Sequence, residues 1–163
     1  MSLRCLIIVV ALASCTGETL TRDNVTTGAA LSPDPCELLS SRDVELATGA
    51  QVEGRGPVPE ERMIASGGPP LCEYVVPGRH DTIVVAVDPN GADEFVRLRD
   101  RDPLNTTLLH GFGDEAYSQA MDSVSVRVGE GYFVLGTQHG AGEEGVGDLR
   151  TLAELALQGL DTA

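Results

Sequence analysis

A short apolar run near the amino terminus sets how this 163-residue chain can be organised. Residues 5–13 are nine consecutive apolar residues, and Arg4 is the only charged residue among the first seventeen. At about 1.5 Å of helical rise per residue, nine residues reach about 14 Å, less than half of a hydrocarbon core of roughly 30 Å. The run is too short for a permanent transmembrane helix, and its length is typical of a secretory signal peptide.

The apolar run ends in the sequence Leu12-Ala13-Ser14-Cys15. Small residues directly before a cysteine resemble the lipobox of bacterial lipoproteins, in which the cysteine thiol is diacylglycerylated and the chain is cut before it. The resemblance implies a signal peptide over 1–14, lipidation of Cys15, and a lipid-anchored position at the extracytoplasmic face of the cell membrane. The membrane itself is then the first expected partner, held through the lipid on Cys15. An ordinary cleaved signal peptide followed by a chance cysteine is the alternative.

The residues after the leader divide into a polar spacer and a longer segment with regular hydrophobic patterns. Residues 16–33 contain five Thr and two Gly and show no sustained periodicity, which predicts a flexible tether. We therefore expect the lipidated cysteine and its tether over 15–33. A single globular domain over 34–163 follows, which is an ordinary length for one domain.

Acidic residues dominate the charge of the chain. It has 25 Asp and Glu against 11 basic residues, all of them Arg, and its formal net charge is −14. A nucleic-acid-binding protein needs a basic face to contact phosphates, so we expect no nucleic-acid partner. Aromatic residues make up 4% of the chain and Trp is absent, which leaves few side chains for stacking on bases or sugars.

Two cysteines, Cys36 and Cys72, remain in the domain once Cys5 has left with the leader and Cys15 has taken up lipid. An even pair in an oxidising compartment predicts a disulfide, which would contribute about 4 kcal/mol in the chain-entropy model. A metal-binding pair is the alternative, although 35 intervening residues match no zinc spacing. A catalytic thiol is a weaker alternative, because the second cysteine would trap it.

Hydrophobic periodicity places strands and helices along the domain. The clearest pattern is the alternation of valine with polar residues over 123–128, followed by a Gly-rich turn and a returning strand. The predicted strands are 71–76, 82–87, a short strand within 108–117, 123–128 and 132–137, with a weak strand near 51–54. The predicted helices begin at the capping residues Ser40, Asn90 and Asp148 and extend to about residues 49, 99 and 158. Residues 140–147 are predicted to form a flexible loop before the last helix.

This order of elements predicts an α+β fold. Strands in hairpin order with helices between them favour a mainly antiparallel sheet, here covered by about three helices and carrying one disulfide. The disulfide would join the first helix to the sheet.

Several motifs of the domain also occur together in a known family. They are Asp34-Pro35-Cys36-x-Leu38-Leu39, Cys72-Glu73-Tyr74, and the run from Gly111 to Tyr117 ahead of a Val-rich hairpin. Together with the lipobox and the Thr-rich spacer, they resemble an actinobacterial lipoprotein family, domain of unknown function 3558. The resemblance covers roughly residues 34–160 and implies the location, the disulfide and the general fold. It carries over no catalytic residue.

A glycine motif and the three histidines are the candidates for a cofactor site and a metal site. The spacing Gly140-x-Gly142-x-x-Gly145 matches a dinucleotide fingerprint, but Glu143 and Glu144 would repel a pyrophosphate, so we expect no cofactor. The histidines at 80, 110 and 139 have no helical spacing, and the run starting at Asp88 lacks the glycine and the final acid of a calcium loop. We expect no metal.

The turn over 113–117 is the remaining candidate for chemistry. Asp114 and Glu115 would suit acid/base catalysis if a histidine joined them, although such a turn is more often structural. The sequence therefore favours a non-enzymatic module that binds an envelope protein or a small molecule through the sheet face or the loops around 54–70 and 138–147. An envelope enzyme whose residues meet only in the fold, or an accessory of a membrane signalling protein, are the alternatives.

Overall fold

The structure is a computed structural model that describes residues 31–59, 68–78, 81–120, 122–137 and 142–161. The predicted signal peptide, Cys15 and nearly all of the predicted tether lie outside these residues. Leu31 and the residues up to Pro33, which were assigned to the tether, lie within them, and Leu31 is 5% exposed and packs into the core.

The described residues form one seven-stranded sheet in which every neighbouring pair of strands is antiparallel. Its strands are β1 (Gly54–Pro57), β2 (Leu71–Val76), β3 (Asp81–Asp88), β4 (Thr106–Leu109), β5 (Glu115–Gln119), β6 (Ser123–Val128) and β7 (Gly131–Thr137). Their spatial order is β1-β2-β3-β7-β6-β5-β4. The predicted α+β class with an antiparallel sheet is confirmed.

Alternation along the strands gives the first face of the sheet a continuous apolar layer. The valines of β6 that alternate with polar residues are all buried on this face, at 5% exposure or less. Three helices cover it: α1 (Pro35–Leu38), α2 (Ser41–Thr48) and α4 (Gly142–Asp161). Burying a Val or Leu side chain contributes about 1.5–3 kcal/mol, so this layer supplies most of the favourable free energy of folding. Within the described ranges, no helix is both long and apolar enough to cross a membrane.

The second face of the sheet carries a smaller cluster under α3 (Ala92–Arg101). Phe95 of this helix is fully buried, and its ring centroid lies 5.0 Å from that of Tyr117 and 6.0 Å from that of Tyr132. Leu98 and Val134 pack against these rings. Tilted aromatic pairs at such distances are favourable beyond their buried area, so three rings hold α3 against β5 and β7.

The predicted N-cap of the first predicted helix, Ser40, is confirmed. Ser40 Oγ accepts a hydrogen bond from the Asp43 amide at 3.2 Å, and Asp43 Oδ2 accepts one from the Ser40 amide at 2.7 Å. This capping box satisfies two backbone donors at the start of α2. Gly49 ends the helix with φ of 67°, a conformation that favours glycine.

The predicted cap of α3 is wrong. Asn90 does not cap the helix, because its amide donates to Asp88 Oδ1 at 3.0 Å in a local turn, and Gly91 is the N-cap residue. Gly91 is buried against the sheet, where a Cβ atom would lie 2.4 Å from a ring carbon of Tyr132. Close approach of the turn to β7 therefore decides where the helix begins.

The predicted start of the last helix is also wrong. Asp148 does not cap α4, which begins at Gly142 and extends to Asp161, and Asp148 is a buried residue inside it. The loop prediction over 140–147 depended on the low helix propensity of glycine, which costs about 1 kcal/mol per residue. Propensity is a weak prior that tertiary packing overrides, and Gly145 is buried.

Three short elements differ from the sequence prediction. The weak strand expected near 51–54 lies at 54–57 as β1, and the four-residue strand β4 was not separated from the turn that follows it. The four-residue helix α1 was also missed, although Asp34 caps it by accepting from the Cys36 amide at 2.8 Å. Elements of four residues carry too little periodicity for a pattern to reveal them.

The amino-terminal helices are fastened to β2 at two neighbouring positions. The sulfur atoms of Cys36 and Cys72 lie 2.09 Å apart, so the predicted disulfide is present. Two residues further along β2, the buried hydroxyl of Tyr74 donates to the backbone oxygen of Leu39 at 2.6 Å. Arg55 lies over the Tyr74 ring, with its guanidinium carbon 5.7 Å from the ring centroid, and donates to the Cys36 carbonyl.

Replacing Tyr74 by Phe tests how much its hydroxyl contributes to stability. We expect Tyr74→Phe to lower the free energy of unfolding by about 1–3 kcal/mol at neutral pH, because the carbonyl of Leu39 would be left buried without its donor. Urea denaturation followed by circular dichroism measures the change. Tyr132→Phe is the matched control, because no described residue hydrogen-bonds to its hydroxyl, and we expect little change there. Equal effects of the two variants would contradict the role of the Tyr74 hydrogen bond.

Candidate functional site

The two carboxylates proposed for acid/base work are part of an ionic network between α3, β5 and β6. Glu115 accepts a hydrogen bond from an Nη atom of Arg99, and its other oxygen lies 3.8 Å from Nε of Arg127. Arg99 also donates to Asp100 Oδ1 at 2.7 Å. Glu115 therefore contacts guanidinium groups from both α3 and β6, which gives this carboxylate a structural role between the helix and the sheet.

Asp114 has a structural contact of its own. Its Oδ2 accepts a hydrogen bond from the backbone amide of Gly129 at 2.7 Å and lies 3.6 Å from Nη1 of Arg127. The amide of Asp114 donates to the Arg127 carbonyl at 3.0 Å. Asp114 therefore ties the turn before β5 to the turn between β6 and β7, which is the structural reading of this motif.

The histidines do not join these carboxylates in the part of the chain that the structure describes. His110 is exposed beside a depression of about 170 Å³ formed by residues 108–116, well below the roughly 300–1,000 Å³ of ligand pockets. His80 and His139 lie outside the described residues. Among the described residues, no group of three or more His, Cys, Asp or Glu could hold a metal ion.

The glycine motif of the dinucleotide fingerprint does not form a phosphate-binding turn in the described chain. Gly140 lies outside the described residues, and Gly142 and Gly145 are both within α4. The second and third glycines of the motif therefore belong to a helix that packs on the sheet.

The predicted binding surfaces are only partly described. Helix α3 covers the second face of the sheet over β5, β6 and β7, while Val75 on β2 is 38% exposed on that face. Of the two predicted loops, residues 60–67 and 138–141 lie outside the described residues, and 142–147 belong to α4.

Two larger cavities lie among the described residues, and the sequence alone did not indicate them. One of about 380 Å³ is mainly apolar and is lined by Pro33, Asp34, Pro35, Pro57, Val58, Pro70 and Leu71. The other, of about 360 Å³, lies at the carboxyl end of α3 and is lined by Leu98, Arg101, Asp102, Gln119, Ala120, Asp122 and Ser123. Both have walls from segments far apart in the chain, so only the fold brings them together.

Charged side chains at the carboxyl end of α3 largely pair with one another. The guanidinium of Arg97 pairs with Glu94 at 2.6 Å, and this pairing lowers the pKa of Glu94. Arg99 and Asp100 pair with each other, which lowers the pKa of Asp100. Arg101 is exposed and Asp102 is half-buried, and both border the second cavity.

Glycine at position 113 is required by space as well as by conformation. Its φ is 50°, and a Cβ atom there would lie 2.4 Å from the carbonyl oxygen of Arg127. Gly129 has a similar φ of 59° but has no atom within 4 Å of a Cβ. Glycine at position 113 therefore lets the turn before β5 lie close to the end of β6.

These two glycines form a matched pair for mutation. Each change to alanine adds about 1–2 kcal/mol of left-handed backbone strain, and only Gly113→Ala adds an overlap that costs roughly 1–3 kcal/mol more. Gly113→Ala should therefore destabilise the domain by clearly more than Gly129→Ala in guanidinium denaturation. Similar losses in both variants would show that the contact with the Arg127 carbonyl is not limiting.

The three tyrosines link stability to alkaline pH. Burial raises the pKa of Tyr74 and Tyr117 above the usual 10.0, and burial together with the charges of Asp88 and Glu94 raises the pKa of Tyr132 to about 12. Above pH 10 the unfolded chain loses these protons while the folded chain keeps them, so stability must fall as pH rises.

We expect the free energy of unfolding to change little between pH 7 and about 9 and to fall between about pH 10 and 12. Each tyrosine contributes up to about 1.4 kcal/mol per pH unit to that slope, so Tyr132→Phe should make it shallower by about this amount. Urea denaturation at fixed pH values measures the slope. An unchanged slope in Tyr132→Phe would contradict the raised pKa of Tyr132.

No family model matches this chain, and comparisons with curated proteins and with solved structures give no match either. The resemblance to the actinobacterial lipoprotein family therefore stays a prediction. It depends on the motifs around Cys36 and Cys72 and on the run from Gly111 to Tyr117.

Proposed function

We propose that this protein is a lipid-anchored module at the extracytoplasmic face of the cell membrane that binds an envelope protein or a small molecule without catalysing a reaction. The observation that carries the proposal is the position of Cys15, directly after a short apolar run and two small residues. Cysteine suits this position because its thiolate is the nucleophile that forms a thioether with the lipid. The family resemblance supports the same location.

The cysteine pair of the domain supports an exported location. Disulfides persist in oxidising compartments and are rare in the cytosol, where thiols are kept reduced. The sulfur atoms of Cys36 and Cys72 are at bonding distance, and Cys72 is fully buried. A domain whose first helix is joined to its sheet in this way is suited to the outside of the cell.

The charge and the spacer support attachment through lipid and not through surface electrostatics. A coil as long as residues 16–30 has an average span of about 20 Å, more than twice the screening length of roughly 8 Å at physiological salt. The net charge of −14 would repel anionic headgroups at closer range. The tether therefore lets the acidic domain stand clear of the membrane and meet a partner.

The described part of the domain supports binding more than catalysis. Glu115 and Asp114, the proposed acid/base pair, are occupied by Arg99, Arg127 and the Gly129 amide. These contacts tie turns and strands together, which is a structural role. A catalytic set would need other residues.

Replacing the proposed lipid acceptor tests the anchor directly. In cells grown with radiolabelled palmitate, Cys15→Ser should abolish label in the protein and move it from the membrane fraction to the soluble fraction, because no other lipid attachment is expected. Cys5→Ser is the matched control, since Cys5 lies in the leader, and it should keep both label and membrane association. Undiminished labelling of Cys15→Ser would eliminate Cys15 as the acceptor.

A further inference from the structure

The cavity at the carboxyl end of α3 has the size of a small-molecule site and a mainly polar lining. Its volume of about 360 Å³ falls within the range of ligand pockets, roughly 300–1,000 Å³. Leu98 supplies an apolar wall, while Gln119 and Ser123 are polar residues of neighbouring strands. We call this cavity the α3-end cavity.

The fold creates the α3-end cavity because the helix stops before the sheet does. Helix α3 ends at Arg101, and the chain turns away at Asp102 towards β4. Ser123 lies opposite Gln119 in β5 and opposite Gly136 in β7, and glycine adds no side chain there. The polar ends of β5 and β6 are therefore left next to the helix end with open space between them.

Most polar side chains around the α3-end cavity have no partner within the described chain. Among the described residues, no hydrogen bond or close ion pair engages the side chains of Arg101, Gln119, Asp122 and Ser123. Arg101 has a longer-range attraction to Glu94, which helps to lower the pKa of Glu94. The contrast with the same helix is clear, because the guanidinium groups of Arg97 and Arg99 both pair with carboxylates. One carboxylate oxygen of Asp102, Oδ2, accepts a hydrogen bond from the Asn105 side chain at 2.8 Å.

The charges around the α3-end cavity discriminate between classes of ligand. Two carboxylates, Asp102 and Asp122, and the negative end of the helix dipole favour an ammonium group and disfavour a phosphate or other anion. The positive charge of Arg101 disfavours a ligand that is only cationic. Its guanidinium can donate two parallel hydrogen bonds to a carboxylate. A molecule with one ammonium and one carboxylate group satisfies both kinds of charge.

Backbone strain marks the same place. Ala120 in the wall of the cavity has φ of 52°, and it is the one described residue other than glycine with a positive φ. Its amide donates to the carbonyl of Asn105 at 3.0 Å, which holds the strained turn in place. Such strain costs about 1–2 kcal/mol and is kept where the surrounding structure requires a particular shape.

We propose that the α3-end cavity binds a free α-amino acid, with the ligand carboxylate on Arg101 and its ammonium group on Asp122 and Asp102. Gln119 and Ser123 contact the polar groups of the ligand, and Leu98 packs against its carbon atoms. This inference rests on the proposed function as a binding module, but it does not depend on the lipid.

The test titrates the full-length protein in detergent with the standard L-α-amino acids, one at a time, with amide chemical shifts as the readout. At least one amino acid should bind in the micromolar to millimolar range and shift the amides of Gln119 and Ser123. Acetate and ethylammonium, which each carry half of the charge pattern, should bind at least about tenfold more weakly. Absence of binding by every amino acid up to about 10 mM would overturn the proposal.

Charge-neutral variants identify the site. Arg101→Gln and Asp122→Asn each remove one charge-assisted contact and should weaken binding about tenfold or more. Both residues are exposed, so the fold is expected to persist, which circular dichroism checks. Arg150→Gln on the exposed side of α4 is the matched control and should leave affinity unchanged. Undiminished affinity in both cavity variants would place the ligand elsewhere and overturn the proposal.

The anchor and the cavity can fail separately. Cys15→Ser should lose membrane association and keep amino-acid affinity, because the cavity lies within the domain. If the wild-type protein carried no lipid but bound an amino acid, the lipid anchor would be wrong and this inference would remain. If the wild-type protein were labelled and membrane-bound but bound no amino acid, this inference would be overturned and the anchor would remain.

Discussion

The attachment of the amino-terminal helices to β2 is the interaction on which the rest of the fold depends. Helices of four and eight residues are too short to be stable alone, because nucleation of a helix is costly. Cys72 and Tyr74 point to the same face of β2, and they fix Cys36 and Leu39 by a covalent bond and a buried hydrogen bond. With α1 and α2 held there, α4 has a second surface to pack against besides the sheet.

The parts of the fold that the sequence predicted are those determined by local chemistry. The β6–β7 hairpin followed from valine alternation and a Gly-rich turn, and α2 followed from Ser40 and Asp43 at capping-box spacing. The predicted strand at 82–87 is present as β3, which lies inside the sheet between β2 and β7. In each case the residues that carry the signal are within a few positions of one another, so no knowledge of distant packing is needed.

The parts that could not be predicted depend on contacts between distant segments. Asn90 looked like a cap, but the fit of Gly91 against Tyr132 moved the start of α3. Glu115 was a candidate for acid/base work in a turn favoured as structural, and its guanidinium partners from α3 and β6 are distant in the sequence. The α3-end cavity is a third case, because its walls come from a helix end and two strand ends, and no short motif encodes a space between them.

The position of the disulfide also has a mechanical consequence. A pull on the chain before Leu31 meets Cys36 after five residues, and the sulfur bond transfers the force to β2. Since β2 is hydrogen-bonded on both sides, to β1 and to β3, the load spreads across the sheet before it can peel the short helices away. The domain would therefore resist unfolding by a force applied at its amino-terminal end, whether or not a ligand is bound.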